Sequence, residues 1–258
     1  MNILLCGIAG HMGREVQALG AVGYRGASVV LGVDPTGGCD TDIPVYTSFR
    51  DVPASVDVDC IVDFSHHSAV PELLSFATER RLPTVVATTG HTEEELSLIR
   101  EAAKVIPVFH SANMSLGVAL LVELAKKAVQ AMPDAEIEIV EKHHDRKVDA
   151  PSGTALMIAD AITEIRPELY TNVGRSGYGK RTKNEIGIHS LRMGNVVGEH
   201  EVILATPSQT ITLKHEAHSR ALFAEGALAA AAHIVGAQAG LYDMYTLVSG
   251  ARTTAAAV

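Results

Sequence analysis

Five short runs in the first 114 residues carry apolar, largely β-branched side chains without interruption, at 2–7, 28–34, 59–65, 84–89 and 107–111. A strand that is apolar on both faces must be covered on both, which is the condition of a parallel sheet with helices above and below it. Helical patterns fill the intervals at 11–22, 68–81 and 92–105. Thr92 with Glu95 three residues later predicts a capping box at the start of the last of these. Pro71 is tolerated only in a first helical turn, so the second starts near Ser68. Strand–helix alternation of this kind predicts an α/β fold of Rossmann type, a doubly wound parallel sheet.

The pattern changes after Asn113. A long helix is expected over 115–132. Residues 135–143 follow, where Glu136 and Glu138 alternate with Ile137 and Ile139, the signature of a half-exposed strand. A helix over 154–165 comes after Pro151-Ser152-Gly153. Beyond a Gly-, Lys- and Arg-rich loop at 174–183 lie three strand-like runs, 185–193, 196–206 and 210–219. Met193-Gly194-Asn195-Val196 and Pro207-Ser208-Gln209 separate them as expected hairpin turns. A second α+β domain with a mixed or antiparallel sheet is therefore expected over 115–219. Residues 220–258 return to a helical pattern, and periodicity alone leaves open whether they rejoin the first domain.

Composition narrows the function classes. A formal net charge of -9 argues against nucleic-acid binding, although a local basic cluster can still serve an anionic substrate. Cys6, Cys39 and Cys60 have no metal-ligand spacing, and an odd count fits poorly with a disulfide framework. A reducing, cytoplasmic compartment is the simplest expectation, with Cys6 and Cys60 buried in strands. Neither a signal peptide nor a membrane span is expected: the alanine-rich stretch at 222–241 is interrupted by Glu225, His233 and glycines. The twelve histidines form no His-Glu-x-x-His or Cys/His cluster, so no metal is expected.

Gly7, Gly10 and Gly13 link the first strand to the first helix with Gly-x-x-Gly-x-x-Gly spacing. Glycines there permit a tight turn, close approach of a pyrophosphate, and close helix–strand packing, and the helix start favours the phosphate charge. Any tight turn can use glycines, so the motif alone is weak. Asp34, at the end of the second strand, strengthens it as an acceptor for an adenosine ribose. Pro35, Thr36, Gly37 and Gly38 bring no cation beside that carboxylate, so NADH is expected to be preferred over NADPH. The strand ends Ala87-Thr88-Thr89-Gly90 and Ser111-Ala112-Asn113-Met114 should border the same cofactor.

The densest chemistry lies at 141–154, Glu-Lys-His-His-Asp-Arg-Lys-Val-Asp-Ala-Pro-Ser-Gly-Thr. On an extended strand, Glu141 and His143 share one face and Lys142 and His144 the other. Glu141 is positioned to orient His143, and a histidine can deliver a proton near neutrality. Lys147 supplies a fixed positive charge or a second acid. Pro151-Ser152-Gly153-Thr154 opens a helix whose first amides suit a substrate carboxylate. Two surface histidines ahead of a capped helix would show the same spacing. His66-His67 lacks the downstream lysine and Ser-Gly-Thr, and is expected in a loop flanking the cofactor cleft, largely exposed to solvent. Arg192 is expected to face either substrate or a subunit interface.

Together these motifs, with Arg14, Arg192-Met-Gly194, Val197-Gly-Glu-His200 and Gly240-Leu-Tyr-Asp243, resemble the 4-hydroxy-tetrahydrodipicolinate (dihydrodipicolinate) reductase family over essentially the whole chain. The resemblance implies a discontinuous dinucleotide-binding domain, 1–114 with 220–258, and a substrate-binding and oligomerisation domain, 115–219. It also implies a cytoplasmic homotetramer. Position by position, it makes His143 and Lys147 the proton-donating pair and His144, Ser152, Gly153 and Thr154 the substrate contacts. The cofactor contacts would be Gly7, Ile8, Ala9, Gly10, His11, Met12, Asp34, Ala87, Thr88, Thr89, Ser111, Ala112, Asn113 and Met114. The implied reaction is hydride transfer from NADH or NADPH to C4 of a cyclic unsaturated imine dicarboxylate, followed by protonation, in lysine and diaminopimelate biosynthesis. Departures are few. Ala87 stands where glycine is common, Pro35 where some members carry arginine, and His66-His67 where x-Pro is usual. A related cyclic-imine reductase of a secondary pathway and a non-catalytic NADH-binding sensor are the alternatives; intact Lys147 and Ser-Gly-Thr weigh against the sensor.

Overall fold

A computed structural model describes residues 1–37 and 41–250, so Cys39 and Gly38 lie outside the described residues. The chain divides into two compact units, Met1–Leu116 with Arg220–Val258, and Gly117–Ser219.

In chain order the first unit contains β1 (Asn2–Cys6), α1 (His11–Ala21), β2 (Ser28–Val33), β3 (Val45–Tyr46), β4 (Cys60–Asp63), α2 (Val70–Arg80), β5 (Thr84–Val86), α3 (Glu93–Ala103) and β6 (Pro107–His110). The chain passes through α4 (Leu116–Ala131) into the second unit, with β7 (Glu136–His143), α5 (Gly153–Ile165), β8 (Tyr170–Val173), β9 (Glu185–Arg192), β10 (Gly198–Thr206) and β11 (Gln209–Ala217). It then returns to the first unit as α6 (Ala221–Ile234), β12 (Gly240–Tyr242) and α7 (Met244–Ser249).

The sheet of the first unit has the order β12-β6-β5-β4-β1-β2-β3, and every pairing is parallel. Apolar residues on both strand faces are consumed as expected. Leu4, Cys6, Ile61, Val86 and Val108 share one core with Leu73, Ala77, Ile99 and Ala103 of α2 and α3. α1 and α6 pack against one another, and α6 runs along β4, β5 and β6. The expected capping box is present: Thr92 Oγ1 accepts from the Glu95 amide, and Glu95 accepts from the Thr92 amide. Cys6 and Cys60 are buried.

Two expectations need correction here. The returning segment is not purely helical, because residues 240–242 form β12, which pairs with β6 at the sheet edge. Three apolar-to-polar residues are too short a run to stand out from flanking helices. The strand β8 was likewise hidden in the polar context of Tyr170-Thr-Asn-Val.

The second unit is a mixed sheet of order β11-β10-β7-β9-β8. β10 and β11 form the expected hairpin at Pro207-Ser208, with Thr206 opposite Gln209. The other expected hairpin does not exist. β9 pairs in parallel with one edge of β7, and β10 pairs antiparallel with the other. The Met193–Val196 link therefore crosses the end of β7, a span of about 10 Å between strands that are not neighbours. It is tied there by the Met193 amide donating to His143 O (2.9 Å) and the Asp145 amide donating to Gly194 O (3.2 Å). Turn residues mark where the chain reverses and carry no information on which strand lies alongside. α4 and α5 cover one face of this sheet through Leu121, Ala125, Ile158 and Ile162 against Ile137, Ile139, Ile186 and Val202.

In the first unit one glycine sets how closely α6 approaches the chain just beyond β6. A Cβ on Gly226 of α6 would lie 1.7 Å from the carbonyl oxygen of Met114, just beyond β6. Backbone cannot yield as a flexible side chain can, so Gly226→Ala should destabilise by about 2–3 kcal/mol, lowering Tm by roughly 5–10 °C. Gly179→Ala, where a methyl meets nothing within 4 Å, should leave Tm within about 2 °C in the same scanning calorimetry. Equal shifts would refute this account of α6.

Candidate functional site

The site residues predicted from sequence fall in both units, and each group is built from its own unit. In the first, β1 is followed by Gly7 at φ 75°, whose missing side chain lets Phe64 O approach; a Cβ there would sit 2.6 Å from it. A Cβ on Gly13 would lie 2.3 Å from Gly7 O, so this residue permits the close helix–strand contact. Gly10 is the N-cap of α1 and offers no side-chain cap, which leaves the first-turn amides to another acceptor. Arg14 donates to Ala9 O at 3.1 Å, placing a cation at the loop.

Asp34 follows β2 and lies beside this loop, only 6% exposed. One carboxylate oxygen accepts from the Ala9 amide at 3.1 Å, and the other from the Thr36 amide and hydroxyl at 3.0 and 2.6 Å. Burial raises its pKa, but the bonds from Thr36 and Ala9 outweigh it and hold the carboxyl below its ordinary value. An uncapped helix start, a glycine turn and an ionised carboxylate on the neighbouring strand fit a dinucleotide.

Next along the sheet, Thr88 is buried and bonds Asp63 Oδ2 (3.2 Å) and His91 Nε2 (3.0 Å). Asp63 is fully buried; burial pushes its carboxyl up against the opposing bonds from Ser65 and Thr88. Thr89 is exposed and Ala87 buried. Among the described residues only Arg25 and Arg81 adopt positive φ without being glycine, so Ala87 sits in ordinary backbone. Ser111 donates to Asn113 O at 3.0 Å, Asn113 Oδ1 accepts from the Ser115 amide at 2.9 Å, and Met114 is buried.

The His66-His67 expectation needs revision. His66 is exposed, but His67 is partly buried, and its Nδ1 meets both carboxylate oxygens of Glu95 at 2.9 Å. The same glutamate that caps α3 thus anchors the loop after β4. This long-range pairing leaves no trace in the spacing of either segment.

In the second unit the end of β7 carries the densest polar contacts. Glu141 is 0% exposed. Its Oε1 accepts from Arg192 (2.7 Å) and from the Ser152 amide (3.1 Å), and its Oε2 accepts from Arg192 (2.8 Å) and His143 Nδ1 (2.5 Å). Burial alone would raise its pKa; bonds from Arg192, Ser190 and His143 outweigh this and hold it at about 2. Arg192, ambiguous in the sequence, is thus a two-pronged clamp on Glu141. It also donates to Asp149 O at 2.6 Å. The β7–β9 pairing puts Arg192 directly beside His143, a register that only the fold reveals.

Ser152 caps α5 by accepting from the Ala155 amide at 3.2 Å, and its hydroxyl pairs with His200 Nε2 at 3.0 Å. With its own amide on Glu141, Ser152 is fully engaged and shapes the helix start. A methyl on Gly153 would meet nothing within 4 Å, so the first turn of α5 is open there. Lys147 pairs with Asp149 at 2.7 Å. His144 Nδ1 is buried without a hydrogen-bond partner among the described residues. His200, buried and held near pKa 4 chiefly by burial, packs its ring edge-on to His143 with centroids 5.2 Å apart. Its part escaped the sequence reading, although the Gly-Glu-His string was visible. Among the described residues no three His, Cys, Asp or Glu side chains gather as a metal site, and no helix is long and apolar enough to cross a membrane.

Known proteins resemble the chain along its length. The family described as dihydrodipicolinate reductase, N-terminus, matches residues 1–114, and its C-terminus counterpart matches 117–248. The 4-hydroxy-tetrahydrodipicolinate reductase of Caldanaerobacter subterraneus subsp. tengcongensis is 47% identical over 254 residues, covering 96% of this chain and 98% of that protein. The Clostridium tetani enzyme of the same name is 45% identical over 249 residues, covering 95% of each chain. Among solved structures, dipicolinate-bound dihydrodipicolinate reductase from Paenisporosarcina sp. TG-14 superposes with a TM-score of 0.80 at 24% identity, covering 94% of this chain and 97% of that one. Matched in both halves and nearly half identical to full-length relatives, the chain belongs to the dihydrodipicolinate reductase family.

Proposed function

We propose that the protein catalyses NAD(P)H-dependent reduction of the cyclic unsaturated imine dicarboxylate formed when 4-hydroxy-tetrahydrodipicolinate loses water, giving tetrahydrodipicolinate for lysine and diaminopimelate biosynthesis. The observation that carries this reading, beside family membership, is the His143 imidazole held at Nδ1 by a buried, ionised Glu141. A fixed imidazole is suited to proton delivery at a defined atom.

The nicotinamide supplies the hydride when bound. Gly7, Ile8, Ala9, Gly10, His11 and Met12 would hold the pyrophosphate side, and Asp34 would accept from the adenosine ribose. Ala87, Thr88 and Thr89, with Ser111, Ala112, Asn113 and Met114, line the remaining strand ends. In the second unit His143 donates the proton, and Lys147 keeps positive charge beside the substrate. One substrate carboxylate lies against the open first turn of α5 at Gly153 and Thr154, with His144 alongside and Ser152 fixing the turn. Positive charge and helix-terminal amides together favour a dianion over a neutral imine.

NADH is the preferred form in this reading. Thr36 donates its hydroxyl to the Asp34 carboxylate, and a 2′-phosphate bound beside that carboxylate would meet negative charge. The protein acts in the cytoplasm as a homotetramer. Leu191, exposed on the sheet face opposite α4 and α5, is consistent with further association of that face.

With substrate generated in situ, NADH oxidation followed by absorbance should show turnover. Turnover only with a different cyclic imine would shift the reading to a related reductase, and dinucleotide binding without turnover on any imine would leave a sensor. His143→Ala and Lys147→Ala should each lower kcat by ~10²–10⁴-fold, whereas His66→Ala should change it by less than about threefold; equal losses at both histidine pairs would sink the assignment. The ratio of kcat/KM for NADH over NADPH should exceed one, and a tenfold preference for NADPH would be the contrary result. Light scattering at micromolar concentration should give four times the chain mass, and a monomer would remove the tetramer.

A further inference from the structure

Glu141, Arg192 and His143 form one hydrogen-bonded cluster at the ends of β7 and β9. Both carboxylate oxygens of Glu141 receive N–H donors: two from Arg192, one from the Ser152 amide and one from His143 Nδ1. Arg192 cannot give up its proton and the amide cannot accept one, so the carboxylate faces donors on every side. His143 meets it with Nδ1–H, and the opposite nitrogen, Nε2, is turned away from the clamp.

That nitrogen lies close to β10. Gly198 of β10 lies across from His143, and a Cβ added there would stand 3.1 Å from Nε2 and 3.4 Å from Cδ2. Its φ is not in the left-handed region, so backbone conformation does not demand glycine here. What the absent side chain permits is close approach of the His143 ring to β10.

The geometry points to a positioning pair: Arg192 keeps Glu141 ionised, Glu141 locks His143 in the Nδ1–H form, and Nε2, on the ring edge packed beside Gly198, is the atom that passes its proton to the substrate. This rests on the reductase reading above and adds which atom acts and which residues set it. In the step, the Nε2–H bond of the doubly protonated ring breaks and a C–H bond forms at the carbon beside the one that has accepted hydride. The N–H electron pair stays on Nε2, leaving a neutral ring still bonded through Nδ1–H to Glu141. Buffer protons then recharge Nε2.

The charged and titratable neighbours agree with this division of labour. On its own strand Glu141 favours the protonated ring, while Lys147 and Arg192 oppose it; burial is the largest influence and lowers the His143 pKa. Asp149 is occupied with Lys147. His200 on β10 is held neutral near neutrality, so it adds little repulsion to a charged His143. The carboxylate is thus the one neighbour that stabilises the proton-donating form, as in hydrolase triads where a buried acid fixes the tautomer of a histidine.

Long-range ¹⁵N–¹H correlation of the labelled full-length protein, with His143→Gln for assignment, reads the tautomer directly. Wild-type His143 should be Nδ1–H when neutral, with Nε2 titrating. Glu141→Gln removes the stabilising charge, so the His143 pKa should fall by at least about one unit. Because the donating form is the protonated one, activity is lost as pH rises through that pKa, and the alkaline limb of kcat should move to lower pH. At neutral pH kcat should drop by about 10²-fold with KM changed less than about threefold. Gly198→Ala leaves the Glu141 bonds in place; it should keep the Nδ1–H tautomer while lowering kcat by at least about tenfold, and it serves if the glutamine variant fails to fold. A neutral Nε2–H tautomer in active wild-type protein, or a Gly198→Ala enzyme with full kcat, overturns the inference. Absence of imine reduction with the Nδ1–H tautomer intact would instead count against the proposed reaction.

Discussion

A fully buried carboxylate is costly unless its charge is matched, and Glu141 is matched four times over. Those partners come from the loop leading into α5, from β7 itself, and from the far end of β9. One side chain therefore ties the helix start, the strand end and the neighbouring strand to a common point. Removing Arg192, its fixed counter-charge, would leave the buried carboxylate without ionic compensation, a loss of several kcal/mol in comparable buried pairs. The local chemistry of the second unit is thus inseparable from its stability: the group that orients His143 also fastens the ends of the two inner strands β7 and β9 to the start of α5.

The first unit solves a different problem with backbone rather than charge. Its parallel strands require crossovers, and crossovers leave every strand's carboxyl end facing the same way. Gly7 and Gly13 compress the first of these turns, while Asp34 is drawn against Ala9 from the adjacent strand. Glu95 has two duties, capping α3 and gripping His67, so helix and loop share one anion. In both units a single acidic side chain fixes two elements at once.

Much of this was readable beforehand, for physical reasons that differ by element. β1, β2, β4, β5 and β6 each carry an unbroken apolar run, and burial on both faces leaves no other pattern available. The Glu141–His143 contact was visible because strand periodicity puts i and i+2 on one face. Pairing between distant segments was not. Arg192 reaches Glu141 only because β9 lies parallel to β7, and the Met193–Val196 turn had suggested a hairpin that the intervening β7 forbids. β12 escaped because three residues cannot display a period. Local signals name elements; long-range register decides which of their side chains meet.

The pairing of β12 with β6 also orders events in time. The outer edge of β6 exposes unpaired amides and carbonyls until residues 240–242 arrive, and those residues follow all of the second unit along the chain. An open strand edge is a template for unwanted pairing with other chains. A ribosome making this protein therefore holds the first sheet with that rim open for about half of the chain's synthesis, from residue 110 to residue 240. The last strand laid down covers that edge and replaces it with a rim only three residues long.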